Sequence, residues 1–187
     1  RSTLFPYTTL FRSGSWFPMV KAFEEDTTAW DANKKEILGF LREGKNVGFL
    51  TLGDAMFFST YIYVFYRLKK EGVPIETIPG IPAFIAMGSH LGWPIVEGDD
   101  VLSVIPATAD MEKIRRVIGV SDNVVLMKVY KNFPEIADLL EEEGMAENAV
   151  MVSRCGLPDE ERIDDIMTRK SRPVNYLSTI MARRTRE

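Results

Sequence analysis

The chain of 187 residues has one cysteine, Cys155, and one histidine, His90. A lone cysteine excludes any intrachain disulfide and fits a reducing compartment such as the cytoplasm. With one His and one Cys, a His/Cys metal cage of the usual kind is not expected, so no metal site is assigned. No apolar run approaches the ~20 residues that span a bilayer. No Lys/Arg block marks a nucleic-acid footprint, and the net charge is only −4. Arg183, Arg184 and Arg186 cluster near the end of the sequence and read as a solvated tail. Several signatures are also missing: no G-x-G-x-x-G, no Walker A lysine loop and no G-x-S-x-G elbow. What remains is a globular composition, 45% hydrophobic.

Periodicity and turn chemistry organise the rest. Thr3 to Ser13 reads TLFPYTTLFRS, which resembles the conceptual translation of a sequencing-library adapter. Residues 1–13 are therefore set aside as a leader. Gly14 to Trp30 is read as irregular. Helices are expected over Asp31–Arg42, Tyr61–Glu71 and Ile81–Leu91, and strands over Asn46–Leu52, Pro74–Ile78 and Val101–Ile105. That β-α-β-α-β order predicts a mostly parallel sheet with crossover helices. Beyond Pro106-Ala107-Thr108 the pattern restarts. It gives helices at Met111–Val117, Phe133–Glu143 and Asp159–Met167, and strands at Asn123–Met127, Asn148–Arg154 and Tyr176–Arg184. The prediction is an α/β protein of two lobes, 14–106 and 107–187. The first holds the parallel sheet and the second a mixed one.

The most informative stretch runs from Lys45 to Pro82. A strand ends in Gly53-Asp54, and the next predicted strand ends in Pro79-Gly80-Ile81-Pro82. Loops at the carboxyl ends of strands in such sheets are where small ligands bind. Gly53 lets the backbone approach a ligand closely. Asp54 can accept hydrogen bonds from ribose hydroxyls or an amino group, or simply close an Asx turn. His90, late in a helix, reads as a capping or packing residue rather than a general base. Cys155 has no histidine near it in sequence and reads as a small packing residue. Lys128 ends a strand and either steers an acidic substrate or is a surface lysine.

These segments together resemble the tetrapyrrole methylases, which use S-adenosylmethionine in cobalamin and sirohaem synthesis. The resemblance is carried by Phe17-Pro18-Met19, GFLTLGDAMFFSTYIY, IPGIPAF, VVLMKVYKNFPEI, VSRCGLPDE and NYLSTIMARR. Within the family, GDAMFFSTYIY, LMKVY, SRCG and YLST point to the branch that methylates C20 of precorrin-2 or cobalt-precorrin-2. The resemblance implies two α/β domains, the methyl donor in the cleft between them, and a homodimer. It implies that Gly53, Asp54, Ala55, Pro82, Ala83 and Met127 contact the donor. Lys128 and Arg154 are placed on position alone as contacts for the many carboxylates of a tetrapyrrole. No catalytic base is assigned.

The chain departs from the family pattern twice. Ala55 stands where the family has Pro after Gly-Asp. The family's opening G-x-G-x-G-D-P loop is also missing, so the first lobe is expected to be truncated. Three other readings compete with C20 methylation. One is another tetrapyrrole C-methyltransferase. A second is an inactive fragment that only dimerises. The third is an NAD- or phosphate-binding domain, against which the missing glycine fingerprint counts.

Overall fold

The computed structural model describes residues 8–10 and 27–185. The Phe17-Pro18-Met19 segment, the irregular stretch before Thr27, and Arg186 lie outside the described residues. The chain divides into two units, Arg1–Pro82 and Ala83–Glu187.

In the first unit, a three-residue strand β1 (Thr8–Leu10) pairs antiparallel with β2 (Phe49–Thr51). The leader set aside on sequence thus supplies a strand. Between them runs α1 (Thr27–Arg42), and after them α2 (Tyr61–Lys70). The two helices meet through Trp30 and Ile37 on one and Val64 and Leu68 on the other. Spacings of seven and four residues put each pair on one helix face. Trp30 also packs its ring 5.5 Å from that of Tyr63. The Ser59 hydroxyl accepts the Tyr61 amide at 3.2 Å and so caps the start of α2. Thr60, which occupies the N-cap position itself, makes no side-chain capping bond.

The predicted strand Pro74–Ile78 does not form. Pro74 has no N–H for a ladder, and among the described residues only β1 pairs with β2. The expected parallel sheet of this region is therefore replaced by a short antiparallel pair.

The second unit opens with α3 (Ala83–Leu91), two residues later than predicted. Its sheet has the order β3-β4-β7-β5-β6. The strands are β3 (Leu102–Pro106), β4 (Asn123–Met127), β5 (Ala149–Ser153), β6 (Glu161–Ile163) and β7 (Ser178–Arg183). β3 and β4 run parallel, joined through α4 (Met111–Gly119). β7 is antiparallel to both β4 and β5, which flank it. Because β3 belongs to this sheet, the boundary between units falls at Pro82/Ala83 rather than at 106/107. The predicted helix Asp159–Met167 is instead β6 followed by a 3-10 turn, Ile166–Arg169. β6 pairs with β5 from Ser153↔Glu161 onward, so ladder bonds override the helical pattern.

β4 and β5 are buried on both faces, which explains their unbroken apolar runs. On one face, Val124, Leu126, Met151 and Ile180 pack with Ile114 and Ile118 of α4. They also pack with Phe133, Ile136 and Leu140 of α5 (Phe133–Glu142). Asp110 caps α4 by accepting the Lys113 amide at 3.1 Å.

The supposed basic tail is built into this unit. The Arg184 guanidinium donates to the carbonyls of Ile118, Ser121 and Glu143 and to the Glu143 carboxylate. It thereby adds a charged donor to backbone acceptors just beyond and at the ends of α4 and α5, where carbonyls run short of helical partners. Arg183 lies over the Trp93 ring, 4.8 Å from its centroid.

Candidate functional site

The two glycine-containing loops of the first unit are joined through Asp54. Its Oδ1 accepts the Met56 amide at 2.8 Å, which closes an Asx turn. Its Oδ2 accepts the Gly80 amide at 2.9 Å, across 26 residues of sequence. Asp54 therefore both closes its own turn and ties that turn to the second loop. Each carboxylate oxygen keeps a second lone pair for a further donor. The Gly80 and Met56 amides hold the carboxyl below the ordinary aspartate value.

The approach of the loops is close enough to require glycine at position 80. A Cβ there would lie 2.2 Å from the Gly53 carbonyl oxygen and 3.3 Å from Asp54 Cα. Gly53 itself has φ +73°, the left-handed region that favours glycine. Ala55 sits in the turn that follows and is half-buried. Around these loops Leu52, Met56, Phe58, Ile78 and Ile81 are exposed. The loops therefore present apolar side chains beside fixed backbone polar groups, the mixture typical of small-molecule sites. Pro82, also half-buried, closes the second loop and leads into Ala83, the exposed first residue of α3.

In the second unit, the sequence-assigned residues fall at one end of the sheet. Met127 ends β4 opposite Thr179, and Ser153 ends β5 opposite Ser178. Lys128 and Arg154 are the next residues, so they leave the sheet on either side of the start of β7. Both take left-handed backbone, φ +60° and +56°. For non-glycine residues that conformation is uncommon and concentrates at functional positions. Pro106, at the end of β3, pairs with Met127. The Ala107 amide then donates to the Met127 carbonyl at 2.7 Å.

Lys128 is half-buried, and desolvation pushes its ammonium below the ordinary lysine value. That is not the environment of a simple surface lysine. Arg154 pairs with Asp159 at 2.6 Å within its own loop, and its guanidinium holds the Asp159 carboxyl low. Tyr130 and Tyr176 pack against each other, with ring centroids 5.0 Å apart.

One grouping is not legible in the sequence. His90, at the end of α3, places Nε2 3.0 Å from Glu160 Oε1, and Cys155 lies beside both. Neither capping nor core packing describes His90, which is exposed and paired across 70 residues. A shallow apolar groove lined by Ile85, Gly88, Trp93 and Ile95 follows the same helix. It contains none of the residues assigned from sequence.

Comparison with known proteins adds the family. The model of the Tetrapyrrole (Corrin/Porphyrin) Methylases matches residues 4–167. The chain belongs to this family. Cobalt-precorrin-2 C(20)-methyltransferase of Salmonella typhimurium is 35% identical over 173 residues, covering 88% of this chain and 70% of that protein. Precorrin-2 C(20)-methyltransferase of Sinorhizobium sp is 33% identical over 147 residues, covering 74% of this chain and 60% of that protein. A uroporphyrin-III C-methyl transferase from Thermus thermophilus, solved with S-adenosyl homocysteine, shares the methylase fold at a TM-score of 0.58 and 17% identity. That match covers 81% of this chain and 72% of that one. No described helix is long and apolar enough to cross a membrane.

Proposed function

We propose that this methylase transfers a methyl group from S-adenosylmethionine to C20 of precorrin-2 or its cobalt complex, in corrin synthesis. The position on the ring rests on one observation: 35% and 33% identity to two C20-methyltransferases over most of this chain. The donor assignment is supported by the joined loops of the first unit and by the homocysteine product bound to a protein of the same fold.

The sulfonium methyl is already activated, so no covalent enzyme intermediate is needed. The ring carbon attacks the methyl carbon, the S–CH3 bond breaks, and S-adenosylhomocysteine leaves. The proton displaced from C20 departs as the ring system is restored. The residues then act by positioning and by excluding water.

Gly53, Asp54, Ala55 and Pro82 supply donor contacts from the two joined loops. Asp54 holds the Gly53 and Gly80 backbones at fixed separation and offers its remaining lone pairs to the donor. Lys128 and Arg154 orient substrate carboxylates. A homodimer is the expected assembly, in the cytoplasm. Calorimetric titration with S-adenosylhomocysteine tests the donor site, with 1:1 binding expected. Incubation with methyl-labelled donor and precorrin-2, read by carbon NMR, tests the position. Label at any ring carbon other than C20 assigns the chain to a different methylase reaction.

A further inference from the structure

We propose that His90, Cys155 and Glu160 form a binding site for a borderline divalent cation of the Zn2+ class. Three different ligand types converge from two segments of the second unit: His90 from the last turn of α3, and Cys155 and Glu160 from the loop between β5 and β6. One ligand atom from each lies within 4.8 Å of the other two. Tetrahedral zinc with these donors requires separations of roughly 3.3–3.6 Å, from bond lengths of about 2.0–2.3 Å. His90 Nε2 and Glu160 Oε1 are 3.0 Å apart, and the Cys155 Sγ lies within 4.8 Å of both ligand partners.

The carboxylate is pre-oriented. Glu160 Oε2 accepts the Gly156 amide, which leaves Oε1 turned toward His90. A hydrogen bond from a backbone N–H to the non-ligating oxygen fixes the orientation of a monodentate carboxylate. Gly156 has φ +76°, which folds the loop back so that this amide reaches residue 160. The donor set of one nitrogen, one sulfur and one oxygen excludes calcium and magnesium as preferred occupants, because both demand oxygen ligands. His90 is exposed, so the ion has a route from solvent and a fourth position for water.

Binding releases the thiol proton of Cys155 to solvent as the S–metal bond forms. Occupancy would staple α3, which begins with Ala83, to the loop that begins with Arg154. The site is independent of the methyl-transfer reading.

The test uses the full chain with two probes. Zn2+ titrated by calorimetry should bind at one site per chain. Co2+ should give the near-ultraviolet charge-transfer band of a thiolate ligand together with the visible bands of a four-coordinate ion. The band should vanish in Cys155→Ser. Affinity should fall at least about tenfold in His90→Gln and in Glu160→Gln, the range seen when a site's supporting groups are lost. Circular dichroism of each variant separates loss of binding from loss of fold. Zn2+ should also raise the melting temperature of the parent chain but not of Cys155→Ser. An unchanged band and affinity in both His90→Gln and Glu160→Gln would mean that an isolated thiol captures the ion, and would overturn the site. So would the absence of saturable binding.

Discussion

The two units of this chain bury their side chains very differently. In the second, every residue of β5 is buried and one apolar cluster joins four strands to two helices. Among the described residues of the first, the buried cluster consists of Trp30, Ile37, Val64 and Leu68, while Leu50, Leu52, Tyr66, Ile78 and Ile81 are exposed. Folding free energy follows apolar burial, so the second unit is the stable frame. The joined loops assigned to the donor sit on the less buried unit. Ligand loops belong to the low-stability end of a molecule, because they must admit and release what they bind.

The sharpest way to break the comparison is to delete matched leucines. Leu140→Ala, in the second unit's core, should cost about 2–5 kcal/mol in a urea melt. Leu68→Ala should fall at or below the low end of that range. An equal or larger cost at Leu68 would overturn the ranking. Hydrogen exchange supplies the same contrast without mutation, with β4, β5 and β7 amides the last to exchange.

Gly80→Ala comes next. Its methyl meets the Gly53 carbonyl oxygen at 2.2 Å, so the backbone must shift. The expected cost is about 1–3 kcal/mol, with S-adenosylhomocysteine binding lost by more than about tenfold. Exchange in β4, β5 and β7 should not change. Protection lost throughout the second unit would show that the two units do not respond separately.

Arg184→Met keeps the aliphatic stem but removes the guanidinium from three carbonyls and the Glu143 carboxylate. About 1–3 kcal/mol should be lost, as for hydrogen bonds to a charged group, with donor binding unaffected. A neutral outcome would return Arg184 to the role of solvated tail.

The smallest effect is expected from Asp54→Asn, read against pH. The folded state lowers the Asp54 carboxyl below its ordinary value. Its stabilising contribution is therefore complete above the ordinary aspartate range and is lost as pH falls through the lowered folded value. An asparagine side chain has a single acceptor oxygen, so it cannot take one amide on each of two oxygens as the carboxylate does. The variant should show weaker donor binding at neutral pH and a shallower loss of stability in acid. Parallel acid profiles would remove Asp54 from the link between the loops.

How much of this is legible in the sequence depends on how local the determinants are. The expected bounds of β4 match the observed ones because Val124-Val125-Leu126-Met127 is apolar throughout and preceded by turn residues. α2 is legible as a helix over Tyr61–Glu71, one residue longer than observed, but which of its side chains are buried, Tyr61, Val64 and Leu68, emerges only from its packing on α1. Pro74–Ile78 looks equally like a strand, but strand formation needs a partner, and partners are not local. Glu161–Ile163 fails in the opposite direction, since its pairing with β5 overrides a helical pattern.

The candidate site divides in the same way. Gly53-Asp54 and Pro79-Gly80 stand out as loops, yet nothing in their spacing reveals that Asp54 bonds the Gly80 amide. Lys128 and Arg154 are notable in sequence only for their position, and their shared left-handed backbone emerges in three dimensions. The sequence neighbours of His90 suggest capping or packing, whereas Glu160, 70 residues away, is what it touches.

The position of β7 bears on how the chain is made. Of the five strands of its sheet it is the last to be synthesised, and it takes the middle place. Until Ser178–Arg183 has emerged from the ribosome, β3-β4 and β5-β6 are two ribbons with unsatisfied edges facing a gap. The second unit therefore cannot close early in translation. Its assembly waits for residues 178–183, and a nascent chain paused short of Ser178 would offer two open strand edges to chaperones or to its neighbours.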